Sequence, residues 1–329
     1  TRLKMALLFA VVSLLVLPIG TSATPTSGWS AAFAATDDPI ELECLDYLHK
    51  YAPPSDLTSP NITKYFLLSN VKLALAARNA TSWGRAVPFP VFLNDVLPYA
   101  VLSEPRGLPH WDWRTKFYNT FMPQVVDMPN ASMAAEQGIN TISWEIDKPS
   151  IVFKASPNCE INSYSPTQTM ALGYSSCTGL AVYVALALRS VGLPARVTGV
   201  PHWNRCGGED KSCATCPHGD VCTPGDHSSD DQCGNHDWAE VFVDDAWHFV
   251  DPDGSKTLDG GWFVGTTKIQ VPHVGTYLNH SILSSSWAPS DILMKNSTTN
   301  KYYTSDGSLA VSHFPMVWDW ANKNIMGFD

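Results

Sequence analysis

The strongest hydrophobic pattern lies at the centre of the chain. Residues 178–191 (TGLAVYVALALRSV) are apolar on nearly every side of a helix, which predicts a helix buried all round. Gly192 stands where a helix C′ residue is expected, and Pro194 follows two positions later, so the helix should stop there. Residues 195–200 read as a short strand. An insert rich in Cys, Gly, Asp and His spans 201–234. Two alternating runs come next, HDWAEVFV and AWHFVD, with Asp244 and Asp245 between them, which is a hairpin pattern. Upstream, residues 39–133 are mostly helical in period, as in IELECLDYLHKYA and TKYFLLSNVKLALAARN. Proline-broken stretches such as VPFPVFLNDVLPYAVLSEP interrupt them. Residues 24–38 are Ser/Thr/Ala-rich and read as a flexible lead-in. The tail is loop-rich, with short strand-like pieces. No repeat recurs at a fixed period.

Residues 6–20 form an apolar run after Arg2 and Lys4, and small residues follow at Thr21, Ser22 and Ala23. This is the layout of a signal peptide cleaved after Ala23, with an uncleaved anchor as the alternative. The run is short of the ~20 residues that a spanning helix needs, so export is the expectation, with no stable membrane insertion after cleavage. Five N-x-S/T sequons, at Asn61, Asn79, Asn130, Asn279 and Asn296, fit a glycosylated, secreted chain.

At 329 residues, 44 % of them hydrophobic and 16 % charged, the chain can bury a core and is not a disordered polymer. Its formal net charge of −10 opposes phosphate backbones, so no nucleic-acid partner is expected. The 12 Trp, 11 Tyr and 13 Phe suit either a carved binding surface or an ordinary core.

Cys177 opens the central helix. A thiol there meets unpaired N–H groups and the positive end of the helix dipole, which favours thiolate. His236 begins the first hairpin strand and Asp251 ends the second. A two-residue loop at Asp244 and Asp245 pairs Val243 with Ala246, and so makes Asp251 the diagonal neighbour of His236 on one face. A loop shifted back by one residue puts Asp251 directly opposite. In either register the carboxylate can orient the imidazole, whose other nitrogen can hold the proton of a thiol.

Two segments, GYSSCTGLAVYVALALRSVGLPARVTGVPHWN and NHDWAEVFVDDAWHFVDPDG, resemble the catalytic core of the transglutaminase-like superfamily. The resemblance covers roughly 174–254. It implies an α+β fold: a papain-like core whose nucleophile-bearing helix packs on an antiparallel sheet. On this reading the core spans 141–270 and holds the insert, a mostly helical region at 39–140 precedes it, and a C-terminal extension at 271–329 packs on it. The resemblance assigns the nucleophile to Cys177, the base to His236 and the third triad member to Asp251. Arg189, Gly192, Pro194, Ala195 and Arg196 match the helix exit, and Trp238, Glu240 and Trp247 match the strands. Gln168 and Trp144 are rival donors to an oxyanion, and Trp203, Trp238 and Trp247 are candidate walls of a substrate cleft. The implied chemistry is acyl transfer from a protein or peptide amide through a Cys177 thioester, to an amine or to water. A deglycosylating hydrolase of the same fold and a non-catalytic binding scaffold remain as alternatives.

The insert carries five of the eight cysteines. Cys213 and Cys216 have zinc-ligand spacing, with His218 and His227 nearby, but export favours disulfides. With Cys177 set aside, seven cysteines remain, which leaves one free or intermolecular. Acidic residues from Glu209 to Asp231 would allow calcium, although no twelve-residue calcium loop fits. No cofactor is required by the expected chemistry.

Overall fold

Capping residues set the N-terminal helices. The computed structural model describes residues 27–107, 113–147, 151–154, 164–200, 236–251, 257–261, 283–288, 295–296 and 301–302. Helix α1 (Gly28–Phe33) falls inside the segment expected to be a flexible lead-in. It is held there by tertiary contacts: the Trp29 indole donates to the Asp56 carbonyl at 3.1 Å, and the ring is buried. Helix α2 (Pro39–Tyr51) starts at Asp38, whose carboxylate accepts from the N–H groups of Ile40 and Glu41, with Pro39 in the first turn. Short helix α3 (Pro54–Thr58) leads to α4 (Lys64–Ala80), capped by Thr63. Helices α5 (Ser82–Ala86), α6 (Phe89–Asp95), α7 (Trp113–Val125) and α8 (Ala131–Asp147) complete the helical region. Helix α8 runs through the expected domain boundary at 140.

The remaining elements are β1 (Val152–Phe153), α9 (Pro166–Leu172), β2 (Tyr174–Ser175), α10 (Cys177–Ser190), β3 (Ala195–Val200), β4 (His236–Val243), β5 (Ala246–Val250), β6 (Leu283–Ser284), β7 (Lys295–Asn296) and β8 (Lys301–Tyr302). Strands β3 to β6 form an antiparallel sheet in the order β5-β4-β3-β6. The fold is thus the expected α+β arrangement, with α10 packed on an antiparallel sheet. The signal-peptide segment 1–23, the insert 201–234 and most of the C-terminal extension lie outside the described residues. Among the described residues no helix is long and apolar enough to cross a membrane.

Helix α10 is buried from Thr178 to Ser190, as its all-round apolar sequence requires. One side packs on α7 and α8, and the other on the inner face of the sheet through Ala195, Val197, Ala239, Val241, Val243 and Val250. A second cluster joins α1, α2, α4 and α6, and Trp287, just past β6, docks into it against Tyr99. Buried guanidinium groups tie the two clusters together. Arg114 donates to Asn70 Oδ1 and to the carbonyls of Val96, Leu97, Pro98 and Arg189. Arg189 donates to the carbonyls of Ala195 and Ala100. The chain leaves α10 through Gly192, whose φ of +90° suits glycine. A Cβ there would also stand 3.1 Å from the Ala77 carbonyl.

The hairpin adopts the first of the two expected registers. Val243 pairs with Ala246, and Asp244 and Asp245 both have positive φ, as the type I′ turn demands. The last rung of β4 with β5 joins Ala239 to Val250.

Candidate active site

Strand alternation divides the site-bearing residues between the two sheet faces. His236, Trp238, Glu240 and Phe242 share the face turned away from α10, while Asp237 falls in line with Ala239 and Val241 on the helix side. Continuing the hairpin register one position past Ala239↔Val250 puts Asp251 level with Trp238, on the face of His236 and diagonal to it. Both His236 and Asp251 are buried. The imidazole lies beside the Trp238 indole, with ring centroids 6.0 Å apart and planes tilted by 39°.

Cys177 is the first residue of α10 and is half-buried, with a free thiol. Ser176 caps the helix by accepting from the Gly179 N–H, and Gly179 lets α10 lie tightly against the preceding segment. A Cβ at Gly179 would fall 1.8 Å from Ser175 Oγ. The N–H groups of Asp237 and Thr178 and the Thr178 hydroxyl act on the sulfur in the direction that favours thiolate. The bond from Thr178 Oγ1 to Asp237 Oδ2 joins the start of α10, where Cys177 lies, to the start of β4, where His236 lies.

The electrostatics differ from the helix-dipole expectation. Burial and then the Asp237 carboxylate push the Cys177 thiol up to about 12, and together they outweigh the N–H donors. Burial pulls His236 down to about 4. Without substrate the two residues are therefore a thiol and a neutral imidazole.

Asp237 is the residue that the sequence reading passed over. It is wholly buried, and its Oδ2 accepts from Thr178 Oγ1 at 2.5 Å across the helix–sheet seam. An acid at the inward parity of an otherwise apolar strand face (Asp237, Ala239, Val241, Val243) was the available signal.

The other sequence candidates are dispersed. Gln168 forms a capping box at the start of α9: its side-chain oxygen accepts from the Ser165 N–H at 2.9 Å, and its own N–H donates to Ser165 Oγ. Trp238 adjoins the imidazole. Trp247 lies opposite Phe242, six residues along β4 from His236, or about 20 Å at strand rise. There the Arg196 guanidinium covers its ring at 3.8 Å while Arg196 Nε donates to Glu240 at 2.7 Å. That end of the sheet borders an open pocket of about 300 Å³ with Tyr47, Asn94 and Asp95. Trp247 does not wall the thiol. Trp203, the Trp144 side chain and the metal candidates Cys213, Cys216, His218 and His227 lie outside the described residues. Among the described residues no cluster of His, Cys, Asp and Glu could hold a metal ion. Cys44 is a buried free thiol, so six cysteines outside the described residues are left for the expected pairing.

The family model of the transglutaminase-like superfamily matches residues 135–252, which contain Cys177, His236 and Asp251. No curated protein matches the chain. Among solved structures, a candidate cysteine protease from Cytophaga hutchinsonii is similar at 11 % identity and a TM-score of 0.28, over 42 % of this chain and 37 % of that one. The family match supports a thiol enzyme of papain-like fold. Residues 135–252 of this protein match the transglutaminase-like superfamily.

Proposed function

We propose that this protein is a secreted thiol enzyme that attacks a glutamine or peptide amide through Cys177 and passes the acyl group to an amine or to water. The observation that carries the reading is that Cys177 at the start of α10 and His236 at the start of β4 are brought to one seam, which the Thr178–Asp237 bond closes. Asp251 follows the register onto the face of His236.

A neutral starting pair means that proton transfer accompanies attack rather than preceding it. As sulfur bonds to the carbonyl carbon, its proton passes to His236. The Asp251 carboxylate, on the same face, stabilises the imidazolium. When the C–N bond breaks, His236 gives the proton to the departing amine, and a thioester remains. Water or an amine then attacks, His236 takes its proton, and the sulfur recovers a proton on leaving. Backbone N–H groups at the start of α10 are the natural donors to the oxyanion, with the Gln168 amide nitrogen or Trp144 as the further donor. Trp238, beside the imidazole, and Trp203 are the proposed walls of the cleft. Export is supported by the apolar run at 6–20 and by the exposure of the sequon residues Asn61, Asn79 and Asn130.

The test offers the purified protein a glutamine-bearing peptide and a fluorescent primary amine. Incorporation that disappears in Cys177→Ala supports transfer. Ammonia or a cleaved peptide without incorporation supports an amidase or peptidase. Activity retained in Cys177→Ala overturns the reading, and no activity with any amide leaves a binding scaffold in its place.

A further inference from the structure

Asp237 is a charged residue with no exposed surface, placed one bond from the base and one hydrogen bond from the residue after the nucleophile. A buried carboxylate is expensive to keep, and an apolar residue at this inward position would pack as Ala239 and Val241 do. Its placement gives it two handles on the sulfur. Its charge stands beside the thiol and opposes formation of a second negative charge there. It also competes for a proton. The Thr178 hydroxyl has one, it acts on both the sulfur and Asp237 Oδ2, and the 2.5 Å bond commits it to the carboxylate.

We propose that Asp237 is a positioning residue that holds Cys177 in reserve as a thiol, by its charge and by capturing the Thr178 hydroxyl proton, so that the nucleophile forms only when substrate draws the proton on to His236. An amide bound over α10 displaces water and brings the acceptor for negative charge with it, whereas an oxidant or a stray electrophile meets a protonated sulfur. The elements packed on the start of α10 are α9, β2 and β4. Among their described residues and those adjoining them, the titratable groups are Asp237 and His236 on β4, Asp251 after β5, Tyr174 on β2 with the Lys154 ammonium over its ring, and Tyr164 before α9. Of these, Asp237 is the one whose charge acts on the sulfur.

The inference rests on the thiol-enzyme reading, but its test needs no substrate, so the two can fail separately. The rate at which iodoacetamide modifies Cys177 is followed against pH, read on the Cys177 peptide by mass spectrometry. Asp237→Asn keeps the shape and the acceptor for Thr178 but removes the charge. Its reactivity midpoint should fall by about one pH unit or more, which is about a tenfold faster reaction near neutral pH. Thr178→Val keeps the charge and should leave the midpoint at or above that of the unaltered protein. A merely structural role would loosen the same contact in both variants and move both alike. An unchanged midpoint in Asp237→Asn, or an equal fall in Thr178→Val, overturns the proposal. Should Asp237→Asn not fold, Asp237→Glu decides, since it keeps the charge, and a fall in the midpoint there contradicts a role for the charge.

Discussion

His236 and Asp237 are sequence neighbours that serve opposite faces of the sheet. His236 lies beside Trp238, on the face to which the register brings Asp251, while Asp237 reaches α10 and accepts from Thr178. The N–H of the peptide between them acts on the Cys177 sulfur. One dipeptide therefore ties together the helix that carries the nucleophile, the base, and a buried charge that opposes ionisation of the sulfur. Among the described residues the β4–β5 rungs run to Ala239↔Val250, and the start of β4 is joined to the helix through Asp237 and Thr178.

Cys177→Ala should abolish acyl transfer and leave the fold intact. The residue is half-buried, it is the first position of α10, and alanine is a good helix former. Ser176 still supplies the cap. Product formation should be lost while the thermal midpoint moves by no more than about 2–4 °C, the equivalent of roughly 1 kcal/mol in a chain of this size. A large loss of stability would show that the thiol is a core group rather than a nucleophile.

Stability should rise with pH through the range set by His236. Burial lowers the folded-state value to about 4, against about 6.5 in an unfolded chain. Between these values the unfolded chain binds a proton that the folded chain does not, so acid favours unfolding, and the effect levels off above the upper value. The contribution is at most about 3 kcal/mol. Urea midpoints measured from about pH 4 to pH 7 should climb, and His236→Asn should flatten the part of the slope that this group supplies. A slope unaffected by His236→Asn would mean that the imidazole is not buried in its neutral form.

Much of this was legible in the chain itself. The all-round apolar run specified α10, and Gly192 and Pro194 specified its end. Alternation and two residues suited to positive φ specified the hairpin and narrowed it to two registers, and the structure selects the one that sets Asp251 diagonal to His236. Helix α1 was hidden because six residues without apolar period carry no helix signal. It is held by the Trp29 bond to Asp56 and by Gly28 lying against the Ile62 carbonyl, contacts made with residues well downstream. The charge state of Cys177 was hidden for a related reason. The helix dipole can be inferred from position alone, but desolvation and the Asp237 carboxylate come from the sheet that packs over the helix start. Trp247 shares the sheet face of His236, but the same register that aligns Asp251 carries it about 20 Å away along the strand.

Arg114→Lys should destabilise the protein by about 2–4 kcal/mol, because a lysine cannot replace a guanidinium that serves Asn70 and four backbone carbonyls at once. Those carbonyls lie on the 96–98 segment and at the end of α10, so the loss should loosen the joint between the helical cluster and the core. Hydrogen exchange should show faster opening at the amides of Val96, Leu97 and Arg189 than at β4. Uniform opening would place the joint elsewhere.

Gly179→Ala sets helix propensity against packing. On propensity alone the substitution stabilises α10 by about 1 kcal/mol. The new Cβ, however, would lie 1.8 Å from Ser175 Oγ and 3.0 Å from Ser175 Cβ, with the Tyr164 Cβ at 3.6 Å behind them. Rotation of the hydroxyl relieves the first contact but not the second, so the start of α10 must shift away from the 164–175 segment. The net effect should be a loss of about 1–3 kcal/mol, the usual range for overpacking. The shift also moves Cys177 relative to the Asp237 N–H, so acyl transfer should fall by more than the fraction unfolded explains. Ser175→Gly in the same chain removes both clashing atoms and should recover most of the stability. A Gly179→Ala protein with a raised melting point and full turnover would mean that α10 does not lie this close to Ser175.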